Sequence, residues 1–239
     1  HRRTRRRPRA VSGGTVVERG RGGAEPEHAA RIETGSFGPW QTNAYLVWDG
    51  RSAEALVLDP GMGAAAALME RAATNGLRLQ VIANSHGHID HIFDNAALKR
   101  ASGAPLAIHA ADEDRLQGAN PYGFRIEPTV ADEHLTEGTQ LRIGDLVLDV
   151  LHTPGHTAGS VCLYAEQQRL LLSGDTLFRG AWGRTDLEGG DDDQMLASLA
   201  RLSQLPAEVR VLPGHGPETT VEDELSWMRR VVGSGRLGS

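Results

Sequence analysis

Three histidines and one aspartate lie within six residues of this chain, in the stretch 84-NSHGHIDHIFDN-95. The strand pattern LQVIAN (79–84) precedes them and a helical pattern follows, so the stretch forms a turn at the carboxyl end of a strand. A turn so rich in imidazole is either a solvated loop or one part of a metal site. The second interpretation requires matching ligands from distant segments of the chain.

Three more candidate ligands follow predicted strands elsewhere, each beside a glycine or a proline. They are His156 in 152-HTPGHT-157, Asp175 in 173-SGDT-176 and His215 in 212-LPGHG-216. Glycine lets the backbone turn sharply at the point where such a side chain projects. Imidazole and carboxylate groups are ligands for zinc and similar divalent ions. Four His and Asp features after four strands are improbable by chance, so the sequence predicts a metal site.

The spacing of the turn allows two neighbouring ions. Such a turn can direct His86 and His88 at one ion while Asp90 and His91 face another. The candidate ligands are then seven: His86, His88, Asp90, His91, His156, Asp175 and His215.

Three other histidines after Arg31 are weaker candidates. His109 and His134 are isolated, which is typical of surface residues or of hydrogen-bonded core residues. His152 lies four residues before His156, and its role is left open between a ligand and a structural residue.

Strand and helix patterns alternate from Arg31 onward. Strands are predicted over residues 44–48, 55–59, 79–84, 105–109, 139–152 (a hairpin), 160–174 (two strands) and 209–213. Helices are predicted over residues 63–77, 92–103, 193–205 and 221–232, and the segment 116–138 is irregular. Two consecutive sets of strands, each accompanied by helices, predict an α/β protein with packed sheets and helices outside.

Net charge, hydrophobicity and cysteine content limit the partners and the cellular compartment that can be expected for this chain. A net charge of -6 gives no pull toward nucleic acid or acidic membranes, and no apolar run approaches the length of a membrane span. The single cysteine, Cys162, fits a reducing compartment, so a cytoplasmic location is expected.

The first residues differ from the rest. HRRTRRRPRA opens the chain, and residues 1–30 contain almost no apolar side chain to bury. We therefore expect a flexible Arg/Gly-rich tail over 1–30 and a single catalytic domain over 31–239. The basic tail is the only feature that suggests nucleic acid, and a leader without such a role is the alternative.

The motif series HGHIDH, TPGHT, SGDT and PGHG resembles the metallo-β-lactamase superfamily. More narrowly, it resembles the short bacterial branch of glyoxalase-II-like proteins, which are similar to hydroxyacylglutathione hydrolases. The resemblance covers roughly residues 32–220 and implies an αββα sandwich of two mixed β-sheets flanked by helices. It implies one metal on His86, His88 and His156, a second on Asp90, His91 and His215, and Asp175 bridging them.

The chemistry implied by this arrangement is hydrolysis. Two divalent ions lie roughly 3.5–4 Å apart in such sites and activate a bridging water that attacks a carbonyl. Zn²⁺ is the expected metal, and Fe and Mn are the alternatives. Asp90 would orient the nucleophile or move its proton, and Asp175 would bridge, so these two are the catalytic candidates. The expected substrate is a small-molecule thioester, or a related ester.

Several alternatives stay open within the same superfamily. A persulfide dioxygenase would use a single Fe²⁺ on His86, His156 and Asp175, a face suited to iron and oxygen. A lactonase or a nuclease is less favoured. A β-lactamase is also disfavoured, because it would normally carry Cys at the position of Asp175 or lack the pair of Asp90 and His91.

The sequence contains few residues that indicate how a substrate is bound. Glyoxalase II proper carries a helical extension that contacts glutathione, and we expect none in the short segment after His215, so the thiol is left open. The oligomeric state is open too, with a homodimer as one alternative. The residues expected to line the substrate are Tyr122, Phe124, Arg125, Trp182 and Arg184.

Overall fold

The computed structural model describes residues 30–118, 120 and 123–237, and its first six strands form one mixed sheet. These strands are β1 (Arg31–Phe37), β2 (Thr42–Trp48), β3 (Glu54–Leu58), β4 (Arg78–Ala83), β5 (Leu106–Ile108) and β6 (Glu133–His134). They pair in chain order, antiparallel from β1 to β3 and parallel from β3 to β6. The predicted tail over 1–30, apart from Ala30, lies outside the described residues.

A second mixed sheet comes from the later part of the chain. The strands there are β7 (Gln140–Ile143), β8 (Leu146–His152), β9 (Val161–Ala165), β10 (Leu170–Gly174), β11 (Leu177–Phe178), β12 (Ala181–Trp182), β13 (Arg210–Pro213) and β14 (Thr219–Thr220). The sheet order is β14-β13-β10-β9-β8-β7, in which only β10 and β13 are parallel. Strands β11 and β12 form a separate small hairpin.

The described part of the chain contains five α-helices and one 3-10 helix. They are α1 (Ala64–Thr74), α2 (Ile89–Ile92), α3 (Asn95–Ser102), α4 (Asp192–Leu202) and α5 (Val221–Ser234), with a 3-10 helix over Ala110–Gln117. Helices α1 and α3 pack on the first sheet, and α4 and α5 pack on each other beside the second. Within the described part of the chain, no helix is long and apolar enough to cross a membrane.

Strand β9 shows how the layers are built, because its alternate side chains enter two different cores. Val161 and Leu163 join the core between the two sheets, whereas Cys162 and Tyr164 join the core beneath α4 and α5. A strand buried on both faces needs apolar residues at every position, as 160-SVCLYA-165 provides after Ser160. The αββα sandwich of two mixed sheets is therefore confirmed.

The helix predicted over 92–103 is wrong in its extent. The chain forms two helices there, α2 and α3, separated at Phe93 and Asp94. The backbone N–H of Asp94 donates to Pro60 O at 2.9 Å, and its carboxylate accepts from Ala65 N at 2.9 Å. These tertiary bonds at the start of α1 replace the continuous helical pattern.

Candidate metal centre

The seven candidate ligands lie in the segments that follow β4, β8, β10 and β13, with Asp90 and His91 in helix α2, and backbone hydrogen bonds join these segments. Val161 N donates to Ser85 O at 2.8 Å, which ties β9 to the turn after β4. Gly214 N donates to Gly174 O at 2.8 Å, and Asn43 N donates to Gly214 O at 2.7 Å. The ligand-bearing loops are thus fixed to one another through the main chain.

Three histidines form the first group of converging donor atoms, here called the first triad: His86, His88 and His156. His86 Nε2 lies 3.1 Å from His88 Nδ1, and His88 Nδ1 lies 2.8 Å from His156 Nε2. A single proton on His88 cannot satisfy both short contacts.

In His86 and His156, the ring nitrogen that points away from the triad makes a hydrogen bond, which indicates where the ring proton lies. His156 Nδ1 lies 2.7 Å from the carbonyl oxygen of Arg184, which can only accept, so Nδ1 carries the proton and Nε2 holds the lone pair. His86 Nδ1 lies 3.0 Å from Ser85 Oγ, whose own proton goes to Asp59 Oδ2 at 2.7 Å. Lone pairs that converge in this way are compatible with a shared cation.

The second triad consists of Asp90, His91 and His215. His215 Nε2 lies 3.1 Å from Asp90 Oδ2 and 3.2 Å from His91 Nε2. The outer nitrogens are again held, since His215 Nδ1 donates to Trp40 O at 3.0 Å and His91 Nδ1 donates to Asp59 Oδ2 at 3.0 Å. Both imidazoles therefore present Nε2 to the same point as the carboxylate of Asp90.

Asp175 lies between the two triads. Its Oδ2 is 3.5 Å from both His156 Nε2 and His215 Nε2, and its Oδ1 is 3.4 Å from His91 Nε2. Oδ1 is buried without a hydrogen-bond partner among the described residues. A Cβ atom at Gly214 would collide with this oxygen, so glycine is required there. A buried, unpartnered carboxylate oxygen fits a position beside a cation.

The two triads differ in their electrostatics. Burial lowers the pKa of His88 to about 3, assisted by His156, and burial holds the pKa of His86 well below its ordinary value. Burial opposes the charged form of His91 too, but Asp175, Asp90 and Asp59 outweigh it and raise the pKa of that ring. The first triad is a set of neutral imidazoles, whereas the second lies in an anionic environment.

The histidines that the sequence analysis set apart lie outside both triads. The rings of His109 and His152 stack with centroids 4.3 Å apart, and His152 Nε2 lies 2.9 Å from Ala158 O. His134 pairs with Glu113 at 2.8 Å. His152 therefore has a structural contact and does not face the centre formed by the triads.

The residues expected to line the substrate are dispersed. Phe124 packs edge-on against Trp40 at 4.9 Å, beside the carbonyl that binds His215. Trp182 instead packs on Trp227, with ring centroids 5.4 Å apart. Arg125 is exposed.

Arg184 contributes its backbone to the centre through the bond to His156, while its guanidinium group pairs with Asp186 at 2.6 Å. Tyr122, the fifth of these residues, lies outside the described part of the chain. Their contact with a substrate stays a prediction.

Two buried carboxylates near the centre were missed by sequence reasoning. Asp59 ends the strand pattern ALVLD, and it holds both His91 and Ser85. Its only signal was the turn that follows at Pro60 and Gly61. Asp112 lies in the 3-10 helix and bonds the main chain beside three ligands, and no sequence motif marks it.

The chain is similar to known proteins over most of its length. The model of the metallo-beta-lactamase superfamily matches residues 37–215. The probable metallo-hydrolase YqgX of Bacillus subtilis is 38% identical over 195 residues, which cover 78% of this chain and 90% of that protein. The hydroxyacylglutathione hydrolase GloC of Haemophilus influenzae is 30% identical over 194 residues, which cover 77% of this chain and 90% of that protein.

Solved structures give the same picture. The BLEG-1 B3 metallo-beta-lactamase is 35% identical with a TM-score of 0.77, covering 82% of this chain and 97% of that chain. TTHA1623 in a di-iron-bound form is 39% identical with a TM-score of 0.73, covering 81% and 96%. ETHE1 from Myxococcus xanthus is 28% identical with a TM-score of 0.71, covering 85% of each.

Proposed function

The chain belongs to the metallo-β-lactamase superfamily, and on this basis we propose that it is a metal-dependent hydrolase of a small-molecule thioester or related ester. The observation that carries the proposal is the pair of donor triads with Asp175 between them. The similarity to a hydroxyacylglutathione hydrolase supports the thioester as substrate class.

The donor set fits two divalent ions. The first triad offers three imidazoles, the second offers two imidazoles and a carboxylate, and Asp175 faces both. Two ions held there would lower the pKa of a bound water toward neutrality and stabilise the oxyanion that forms when the water adds to a carbonyl. We propose Zn²⁺ as the metal, with Fe or Mn as alternatives. The unpartnered Oδ1 of Asp175 is the atom most in need of such an ion.

Asp90 is the residue best placed to handle the proton of the nucleophile. Its Oδ2 accepts from Thr42 Oγ1 at 2.9 Å and lies 3.1 Å from His215 Nε2, so the carboxylate is held in one orientation. Its side chain is 15% exposed, against 9% for Asp175. Asp90 can therefore pass a proton to solvent, whereas Asp175 serves as a bridging ligand.

An aromatic surface beside the second triad suits the apolar part of a substrate. Trp40 and Phe124 pack together, and the ring of Phe178 lies 6.2 Å from that of His215. We propose that a substrate acyl or thiol group lies against this surface while its carbonyl faces the triads.

A persulfide dioxygenase is the second candidate, because His86, His156 and Asp175 would give two imidazoles and one carboxylate to a single Fe²⁺. Similarity to a protein described in a di-iron-bound form keeps iron among the candidate metals. A single ion on those residues, however, would not use the donor atoms of Asp90, His91 and His215. The hydrolase accounts for all seven side chains.

Metal analysis and two assays on the same preparation test the proposal. We expect two divalent ions per chain after aerobic or anaerobic purification, together with hydrolysis of hydroxyacyl thioesters. One iron per chain with oxygen uptake on a persulfide would replace the hydrolase by the dioxygenase. A β-lactam is a necessary third substrate, given the similarity to BLEG-1, and faster turnover of it than of any thioester would overturn the substrate class.

The variant Asp175→Ala tests the same centre by removing the carboxylate between the triads. We expect loss of bound metal and of activity with an unchanged circular dichroism spectrum, and the same holds for His88→Ala. Glu208→Ala is the matched control, because this exposed carboxylate pairs with Arg169 and contacts none of the candidate ligands or substrate-lining residues in the described contacts. Full activity of metal-depleted Asp175→Ala protein would refute the mechanism.

A further inference from the structure

Asp112 is a buried carboxylate that binds both loops of the first triad. Its residue is 1% exposed. Its Oδ2 accepts from Gly87 N at 2.7 Å and from Thr157 Oγ1 at 2.7 Å, and its Oδ1 accepts from Gly159 N at 3.0 Å. Arg115 lies 3.9 Å from Oδ1 and completes its surroundings.

The bonded groups lie directly beside the ligands. Gly87 separates His86 from His88, and Thr157 follows His156. One side chain from the 3-10 helix thus fixes the two loops that carry all three donors of the first triad, although these loops are separated by about 70 residues in sequence. No described contact links Asp112 to the second triad.

The packing around Asp112 leaves little freedom for these loops. A Cβ atom at Gly159 would lie 2.6 Å from Asp112 Cγ, and one at Gly87 would lie 3.0 Å from Asp112 Cβ. Real Cβ contacts are longer, so both glycines are needed for the main chain to approach the carboxylate.

We infer that Asp112 is a positioning residue that presets the first triad for its ion. The inference rests on the proposed two-ion centre. The first triad consists of three imidazoles and shares the carboxylate of Asp175 with the second triad, so its affinity for a cation depends on the three rings being held at the correct spacing. Loss of Asp112 therefore weakens binding of the first ion and leaves the second triad nearly unchanged.

Asp112→Asn is the sharpest perturbation because it preserves shape. An amide has one acceptor oxygen, so whichever way it is turned, its NH₂ group faces Gly87 N–H or Gly159 N–H. One loop must then move away or keep an unsatisfied N–H group. Thr157→Val is a milder variant that removes the hydroxyl donor to Asp112, together with the contact of that hydroxyl with Ser160 Oγ at 2.8 Å, and leaves the backbone donors in place.

Asp49→Asn is the matched control. Asp49 is also a buried carboxylate, and it accepts three backbone N–H bonds, from Arg51 at 2.7 Å, Ser52 at 2.6 Å and Asp145 at 2.8 Å. It follows the end of β2 that is distant from Thr42, which lies beside the metal centre. A loss of stability alone would therefore appear in both variants, whereas loss of the first ion should appear only in Asp112→Asn.

Two measurements test the inference, and the first is Zn²⁺ titration against a chromophoric chelator. We expect Asp112→Asn to lose about 10- to 100-fold in affinity for one of two ions. Thr157→Val should lose about 2- to 10-fold, and Asp49→Asn should match the wild type. In a His88→Ala background, where the first triad is already incomplete, Asp112→Asn should have little further effect.

The second measurement needs no metal. Hydrogen exchange in the metal-free protein should become faster at the peptides containing Gly87 and Gly159 in Asp112→Asn, and not in Asp49→Asn. Wild-type protein that binds a single ion would contradict the proposed function. Two ions bound with wild-type affinity by Asp112→Asn would overturn the positioning role alone. If Asp112→Asn does not fold, unchanged Zn²⁺ affinity in Thr157→Val overturns it.

Discussion

Replacement of Asp59 by Asn should weaken the second triad through the protonation of one ring. Asp59 is fully buried, and its Oδ2 accepts from His91 Nδ1 at 3.0 Å while its Oδ1 accepts from Ser85 N at 2.7 Å. In Asp59→Asn, the amide oxygen best replaces Oδ1, because the backbone N–H of Ser85 can only donate. The NH₂ group then faces His91 Nδ1, which must accept, and the ring proton moves to Nε2, the atom that faces the metal.

The size of the expected effect depends on which of two ways Asp59→Asn adapts to the amide. Loss of the partner that orients a metal-binding imidazole typically lowers metal affinity about 10- to 100-fold, which is about 1.4–2.7 kcal/mol. The amide can instead rotate and keep His91 in its original tautomer. The N–H of Ser85 then lacks an acceptor, at a cost of about 1–3 kcal/mol. The first response lowers the affinity for metal, whereas the second lowers the free energy of unfolding and leaves the tautomer of His91 intact.

The assay is the stoichiometry and affinity of Zn²⁺ measured by chelator competition on wild type, Asp59→Asn and the control Asp49→Asn. We expect one of two ions to bind about 10- to 100-fold more weakly in Asp59→Asn only. Wild-type affinity for both ions together with a wild-type free energy of unfolding in urea would contradict both responses and refute the role given to Asp59.

Three further predictions concern stability and the substrate side. Leu163→Ala, in the core between the sheets at 1% exposure, should lower the free energy of unfolding in urea by about 2–5 kcal/mol. The control Val130→Ala, at 58% exposure, should change it by less than about 0.5 kcal/mol. Burial alone would raise the pKa of Asp49, but its three backbone donors lower it from the usual 3.8, so its stabilising effect is present above that value. The difference in urea stability between wild type and Asp49→Asn should therefore shrink as the pH falls below 3.8, and a constant difference would contradict this. Phe124→Ala should raise the KM for an apolar thioester about 2- to 10-fold with little change in kcat, and an unchanged KM would exclude the aromatic surface it shares with Trp40.

The strands buried on one or both faces were predictable from the sequence, because burial imposes an apolar pattern. Strands β3, β4, β9 and β10 all lie within one or two residues of their predicted limits. Strand β1 was missed because it lies at the edge of the sheet and pairs with β2 alone, so none of the side chains of RIETGSF is buried and the apolar pattern is weak. The hairpin of β11 and β12 was missed because two-residue strands carry no periodicity.

The seven candidate ligands could be found because a metal demands particular side chains at strand ends. The structure brings all seven together in the two triads and at Asp175. The groups that orient them are less specific. Arg184 and Trp40 act through backbone carbonyls, which any residue type supplies, so no sequence signal can mark them.

Asp59 and Asp112 illustrate two ways in which a residue outside the sequence motifs can support the candidate ligands. Asp59 binds an imidazole ring directly, so its charge adds to that of Asp90 and Asp175 around His91. Asp112 instead binds main-chain N–H groups, and its effect on the first triad passes through the geometry of two loops. The two carboxylates thus differ in kind, since Asp59 contacts a donor ring itself and Asp112 contacts the loops that carry the donor rings. A carboxylate that holds main-chain N–H groups and one hydroxyl group in distant loops needs no neighbouring sequence pattern, so it could be identified only once the folded loops were seen together.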